Sequence, residues 1–220
     1  KDLVTVNAGI MKGVAKSIRE LAPNAFVIVV TNPLDAMAWL MQRETGFPPN
    51  RVVGMAGVLD AGRYRAYLAQ ELGVSTSSVN AMVFGGHGDA MVPVRAFTTL
   101  KGIPIERLLT REKLEDIEGR VRNSGAEIVN LLKTGSAFFS PAASALRMAE
   151  TYLGDRKVVM ACSAYCNGEY NVSGLYFGVP VVIGAGGVER IFEFELGPTE
   201  MQLLRKSVAE VEETIAMIEG

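Results

Sequence analysis

The 220-residue chain has one histidine, two cysteines, one tryptophan and no long apolar run, and each shortage removes a class of protein from consideration. One histidine cannot furnish a histidine-rich metal site. Cys162 and Cys166 lie four apart in the strand-like run "KVVMACSAYC". Four strand residues span about 13 Å, whereas the Cα atoms of a disulfide sit about 5.5 Å apart, so the pair reads as two buried thiols. The longest clearly apolar stretch, near Ala25 to Val30, is too short to span a bilayer. No signal-peptide pattern opens the chain, and the expected compartment is the cytoplasm. Lys and Arg (22) nearly balance Asp and Glu (24), with no basic block, which argues against nucleic acid or a membrane surface as partner. There is no G-x-S-x-G elbow. "GAGGVER" from Gly184 fails as a dinucleotide fingerprint, because the third glycine falls at Glu189, and it reads as a hairpin turn.

What remains is a globular composition, 49% hydrophobic and 21% charged, in a chain long enough for one large or two small domains. Leu3, Val6, Ile10, Val14, Ile18 and Leu21 recur at helical spacing up to Pro23. "AFVIVV" suits a strand buried on both faces, Asp35 to Thr45 a helix, and "RVVGM" a short strand. This helix–strand–helix–strand rhythm predicts a parallel α/β sheet. Beyond it the pattern predicts helices over Leu59–Leu72, Arg111–Leu132, Ser140–Tyr152 and Pro198–Ile218. Strands are expected in "VNAMVFGGHGD" and "MVPVRAFTT". Four more, antiparallel, are expected at Val158–Tyr165, Leu175–Phe177, Val181–Ile183 and Ile191–Phe194. The fold class is therefore α/β, a partial parallel sheet followed by a mixed α+β domain, with the boundary near Ala56.

Three clusters carry chemistry. His87 stands in "FGGHGDAMVP" among Gly85, Gly86 and Gly88, which permit backbone conformations closed to other residues and close approach of a ligand. Imidazole changes charge near neutrality, so His87 is either an acid–base group or a structural histidine. Asp60 and Arg63, three apart in "GVLDAGRYR", share a helix face. They form either a surface ion pair or parts of one site, the carboxylate holding an imidazole N–H and the guanidinium gripping a carboxylate. Asn32 in "VVTNPLD" falls at the carboxyl end of a strand, where α/β sheets bind ligands. It offers a donor and an acceptor, or simply forms an Asn-Pro turn.

Taken in order, "DLVTVNAGI", "VVTNPLDAM", "RVVGMAGVLDAGRYR", "GGHGDAMVP", "GAEIVNLLKTGSAFFSPA" and "YFGVPVVIGAGGVERI" resemble the malate/lactate dehydrogenase family along the whole chain. The resemblance implies a Rossmann-type fold, with residues 1–56 the C-terminal part of a dinucleotide-binding domain and 57–220 a substrate/catalytic domain. It implies that His87 is the acid–base catalyst, Asp60 its carboxylate partner, Arg63 the clamp on a substrate carboxylate, and Asn32 a contact to the substrate oxygen. Asn7, Val30, Thr31 and Asn32 would belong to the NAD site, and a cis bond is expected before Pro33. The implied reaction interconverts (S)-malate and oxaloacetate, a 2-hydroxy and a 2-oxo dicarboxylic acid, in the tricarboxylic acid cycle. "MAGVLD", "GGHGDAMVP" and "GSAFFSPA" are more similar to lactate-dehydrogenase-like malate dehydrogenases, with L-lactate as the alternative substrate. A homo-oligomer, dimer or tetramer, is implied too. The family's Gly-rich phosphate loop, the acidic residue for the adenosine ribose and the substrate-closing loop would precede Lys1. The non-enzymatic alternative is accordingly a truncated, inactive fragment persisting as an oligomeric scaffold.

Overall fold

The first helical pattern becomes α1 (Asp2–Leu21) in the computed structural model, which describes residues 2–219. α1 buries Ala8, Met11 and Ala15, whose small or flexible side chains let it lie close to α2 (Leu34–Thr45). Leu3, Val6, Ile10 and Val14, which carry the clearest helical spacing, point outward instead. Between the two helices, β1 (Val27–Val29) leads to the cis Asn32–Pro33 bond that the family resemblance implied. After α2 comes β2 (Val52–Gly54), paired in parallel with β1 in the register Val27 to Val52. Parallel neighbours need a crossover connection, and α2 supplies it.

α3 (Gly57–Leu72) follows directly, and then four strand pieces around the glycine turn that carries His87 and its flank: β3 (Val79–Asn80), β4 (Val83–Phe84), β5 (Val92–Pro93) and β6 (Thr99–Leu100). β7 (Ile103–Pro104), α4 (Arg111–Leu132), α5 (Phe139–Leu153), β8 (Val158–Asn167), β9 (Ser173–Gly184), β10 (Gly187–Ile191) and α6 (Pro198–Glu219) complete the chain.

One five-stranded sheet, ordered β1-β2-β8-β9-β10, crosses the expected boundary near Ala56. The parallel and antiparallel parts meet where Gly54 lies opposite Ser163. A Cβ at Gly54 would run into the Leu34 side chain and stand 2.7 Å from Ser163 Cβ, so β8 approaches β2 only because glycine is there.

Two expectations need correction. The separate strands expected at Leu175–Phe177 and Val181–Ile183 are one continuous β9 that runs through Pro180. Proline is tolerated because its missing donor faces β10's end. There the Pro180 carbonyl still accepts the Phe192 N–H at 2.9 Å, while the Phe192 carbonyl takes the Tyr170 hydroxyl at 2.9 Å. The strand expected at Ile191–Phe194 instead spans Gly187–Ile191, joined to β9 by the hairpin turn read from "GAGG".

α6 lays Leu204, Val211 and Ile215 on a core that also holds Phe84, Met148 and Phe177. Tyr64 and Leu68 of α3 pack against Leu114, Ile117 and Val121 of α4. Each such large side chain contributes about 1.5–3 kcal/mol on burial. Cys162 and Cys166 are free, buried thiols in β8, and burial pushes the Cys166 thiol up to about 12. Among the described residues no helix is long and apolar enough to cross a membrane.

Candidate active site

Strand β4 ends at Phe84, and the glycines after it turn the chain back into β5. Gly85 has φ +87° and Gly88 φ +117°, which glycine alone adopts without strain. Besides the β4–β5 pairing and the Met91 N–H bond to the Gly88 carbonyl at 3.2 Å, the turn is held from outside. The Gly85 N–H donates to the Gly178 carbonyl of β9 at 2.9 Å, and the Gly86 N–H to the Ser207 hydroxyl of α6 at 2.8 Å. The His87 N–H donates to Asp35 Oδ2 of α2 at 2.7 Å.

The imidazole so presented meets Asp60 in the first turn of α3. His87 Nδ1 lies 2.8 Å from Asp60 Oδ2, with the side chains 12% and 2% exposed. Burial alone would push the imidazole down, but the charge and hydrogen bond of Asp60 outweigh it, Asp35 adds to them, and Arg63 opposes; the net displacement is upward from the usual histidine value. Arg63 is one turn along α3, its Nη1 3.8 Å from Asp60 Oδ1, too far for a hydrogen bond. Asp60 Oδ1 has no hydrogen-bond partner among the described residues. The guanidinium is therefore held near Asp60 by charge alone and is not locked to it.

His87, Arg63 and Asn32 line one cavity of about 370 Å³, together with Asp89, Arg122 and Asn123. The Asp60 carboxylate stands behind it. Asn7, Val30 and Thr31 do not line this cavity. Val30 and Thr31 are exposed at the carboxyl end of β1, and Asn7 Nδ2 donates to the Asn32 carbonyl at 2.7 Å, tying α1 to that strand end. A larger cavity of about 740 Å³ lies between the starts of α4 and α6. Its central charges, Arg95 and Glu118, already satisfy one another at 2.6 Å, and no imidazole reaches it.

Sequence reasoning missed three contributors. Arg122 of α4 adds a second guanidinium to the cavity wall, its Nε donating to the Met91 carbonyl at 3.3 Å. Ser207 and Asp35 hold the turn from behind. Acidic residues in the first turn of a helix are commonplace, so "NPLD" carries no signal that Asp35 faces inward.

Comparison with known proteins bears on what this geometry is. The sequence model of the lactate/malate dehydrogenase NAD binding domain matches residues 1–54, and that of the family's alpha/beta C-terminal domain matches residues 57–219. Malate dehydrogenase 1 of Anaeromyxobacter dehalogenans (strain 2CP-C) is 54% identical over 216 residues, covering 98% of this chain and 69% of that protein. Among solved structures, malate dehydrogenase from Cryptosporidium parvum superposes with a TM-score of 0.97 at 45% identity over 99% of this chain and 71% of that one. Lactate dehydrogenase from the same organism, complexed with lactic acid and nicotinamide adenine dinucleotide, gives 0.97 at 45% identity over 100% and 71%. With both domain models matched in order and a likeness that takes in the whole chain, the chain belongs to the lactate/malate dehydrogenase family, NAD-dependent dehydrogenases of small hydroxy and oxo acids.

Proposed function

We propose that this chain interconverts (S)-malate and oxaloacetate, with His87 as the group that takes and returns the substrate proton. The observation that carries the reading is the Asp60-held imidazole, 2.8 Å from its carboxylate, opening on a cavity shared with Arg63 and Asn32.

NAD, when bound, supplies the hydride acceptor for C2 of the hydroxy acid. The strand end beside the cavity suits the nicotinamide end of that cofactor. Val30, Thr31 and Asn32 are exposed there, and their amides, carbonyls and side-chain dipoles are uncharged groups of the kind that bind a carboxamide. Asn7 would steady that end through its bond to the Asn32 carbonyl.

The remaining work falls to the chain's own side chains. Arg63 grips the C1 carboxylate of the substrate through parallel N–H donors, which fixes the reacting carbon against the imidazole. Asn32 donates to or accepts from the C2 oxygen. His87 Nε2 removes the hydroxyl proton during oxidation, while Nδ1–H donates to Asp60, and the buried carboxylate stabilises the imidazolium that forms. In the reverse direction the imidazolium gives the proton back to the carbonyl oxygen.

Malate is favoured over lactate by "MAGVLD", "GGHGDAMVP" and "GSAFFSPA" and by the 54% identical malate dehydrogenase 1. We place the working protein in the cytoplasm as a homo-oligomer feeding the tricarboxylic acid cycle, with residues 1–56 belonging to the cofactor domain and 57–220 to the substrate domain. The test compares oxaloacetate with pyruvate for NADH oxidation by the purified protein and repeats it with His87→Asn. Preference for oxaloacetate, and loss of turnover in the variant with NADH binding retained, is expected. Near-full activity of His87→Asn would overturn the assignment.

A further inference from the structure

Asp35 holds the catalytic turn in a way that ordinary helix capping does not require. Its side chain lies inside the molecule, 5% exposed, in the first turn of α2. Oδ2 accepts the His87 main-chain N–H at 2.7 Å, and Oδ1 accepts the Ser163 hydroxyl of β8 at 2.7 Å. Neither partner is a cation. Burying a carboxylate whose two hydrogen-bond partners are both neutral is unfavourable, and a neutral amide or an apolar residue would fill the same space at lower cost. Asp35 does not line the cavity shared by His87, Arg63 and Asn32; it borders a separate one of about 220 Å³ on the other side of the His87 turn.

The turn it grips has little stiffness of its own. Gly85, Gly86 and Gly88 surround His87, and their main chains have wide conformational freedom. Where the imidazole points thus depends on what its neighbours' amides bond to, and of the three acceptors on Gly85, Gly86 and His87 only Asp35 is charged. A hydrogen bond to a charged group is the strongest of the three kinds present.

We propose that Asp35 is a positioning residue for His87, which clamps its main-chain N–H from outside the substrate cavity and sets a second carboxylate behind the ring whose Nδ1 is held by Asp60. The inference rests on the reading of His87 as the acid–base group. The charged and titratable groups that face the imidazole are Asp60 and Arg63 from α3, Asp35 from α2, Asp89 from its own turn, Arg122 from α4 and Glu210 from α6. Burial holds the Asp35 carboxyl above the usual carboxylate range, while its bonds to Ser163 and the His87 amide, then the imidazolium charge, draw it back down.

Two variants separate the clamp from the charge. In Asp35→Asn the side-chain carbonyl still accepts the His87 N–H, and the new NH2 donates to the Ser163 hydroxyl, which can turn to accept. The clamp survives and the charge is lost. Asp35→Ala loses both. Because His87 is the only histidine, its ring titrates alone in an NMR spectrum. Asp35→Asn is expected to lower the titration midpoint of the ring, to move the pH limbs of kcat/KM down with it, and to lose far less kcat than Asp35→Ala. Asp35→Ala is expected to lower kcat about 100-fold, the cost of misplacing a reacting group by about 1 Å, with KM for NADH unchanged. A folded Asp35→Ala with parental kcat overturns the proposal. So does an unmoved ring midpoint in Asp35→Asn, even if Asp35→Ala fails to fold. The ring titration needs no turnover. An inactive parent whose midpoint still falls in Asp35→Asn would sink the functional reading and leave Asp35 as the second carboxylate acting on the ring, whereas an active parent indifferent to both variants would sink the Asp35 proposal alone.

Discussion

Asp60 Oδ2 lies 2.8 Å from His87 Nδ1 while Asp60 Oδ1 has no hydrogen bond among the described residues, so one carboxylate oxygen is committed to the imidazole and the other acts through its charge. Both side chains are nearly shut off from water. In that setting the pair does two things: it fixes which ring nitrogen faces the cavity, and it lifts the proton affinity of that nitrogen above the ordinary histidine value.

The sign of the lift sets the pH behaviour. Oxidation of the hydroxy acid needs neutral His87, so its kcat/KM should rise with pH through a midpoint above about 6.5, the unperturbed imidazole value. Reduction needs the imidazolium and should fall through the same midpoint. Asp60→Asn keeps an acceptor for Nδ1–H but removes the charge. Both limbs should move to lower pH, and turnover should drop roughly 10²–10⁴-fold. pH profiles in the two directions check this, and limbs that stay in place would show that Asp60 does not act on the ring.

Arg63 stands 3.8 Å from Asp60, close enough for attraction and too far to be tied up by it. Its planar fork can therefore meet a carboxylate in the cavity. Arg63→Lys keeps the charge and loses the second parallel hydrogen bond. A lost charged hydrogen bond is worth about 1.5–3 kcal/mol, so kcat/KM for oxaloacetate should fall roughly 10- to 150-fold with the affinity for NADH preserved. Steady-state rates beside a fluorescence titration of NADH distinguish a lost substrate grip from a general collapse of the site.

α4 offers a stability test remote from the chemistry. Gly119 sits in the middle of a 22-residue helix, and a Cβ there would meet nothing within 4 Å. Glycine costs about 1 kcal/mol relative to alanine in a helix interior. Gly119→Ala should therefore raise Tm by roughly 2–4 °C, the shift expected per kcal/mol for a chain of this size, without changing kcat. A lowered Tm in thermal unfolding would mean that the helix or its packing differs from that described.

These cases divide along what the sequence made legible. The spacing of Leu114, Ile117, Val121, Ile128 and Leu132 predicts α4 to the residue, because a long amphipathic helix reports its own period; Leu114, Ile117 and Val121 are buried as that spacing implies, while Leu132 at the helix end is exposed. α1 shows where that reasoning ends. Its period was legible, but the buried side is Ala8, Met11 and Ala15, and the larger Leu3, Val6 and Ile10 point out, since which face is covered depends on what packs there. The pattern places separate strands at Leu175–Phe177 and Val181–Ile183, yet β9 runs unbroken through Pro180, and the Phe192 carbonyl that its missing donor faces takes the Tyr170 hydroxyl instead. Residue chemistry and family resemblance together pointed to His87, Asp60, Arg63 and Asn32, and the structure brings His87, Arg63 and Asn32 to one cavity with Asp60 behind it. Asp35, Ser207 and Arg122 were not, because each acts through a contact between elements far apart in the chain and none departs from ordinary helix composition.

The contact between β9 and the glycine turn around His87 should tie stability to activity at one position. Gly178 lies opposite Ser163 in the sheet, and its carbonyl accepts the Gly85 N–H at 2.9 Å. A Cβ at Gly178 would overlap the Gly85 carbonyl oxygen, with Gly85 N and C both 3.2 Å away. All three are main-chain atoms, so no side chain can rotate aside, and the turn itself has to move. Overpacking of this kind costs about 1–3 kcal/mol, and Gly178→Ala should lower Tm by roughly 2–12 °C. The larger effect should be on turnover: displacing Gly85 shifts His87 two residues on, and kcat should fall about 100-fold at temperatures where the variant is fully folded. Calorimetry and kinetics on the same preparation decide it. A variant that loses stability yet keeps its kcat would mean that β9 supports the turn without setting where the imidazole points.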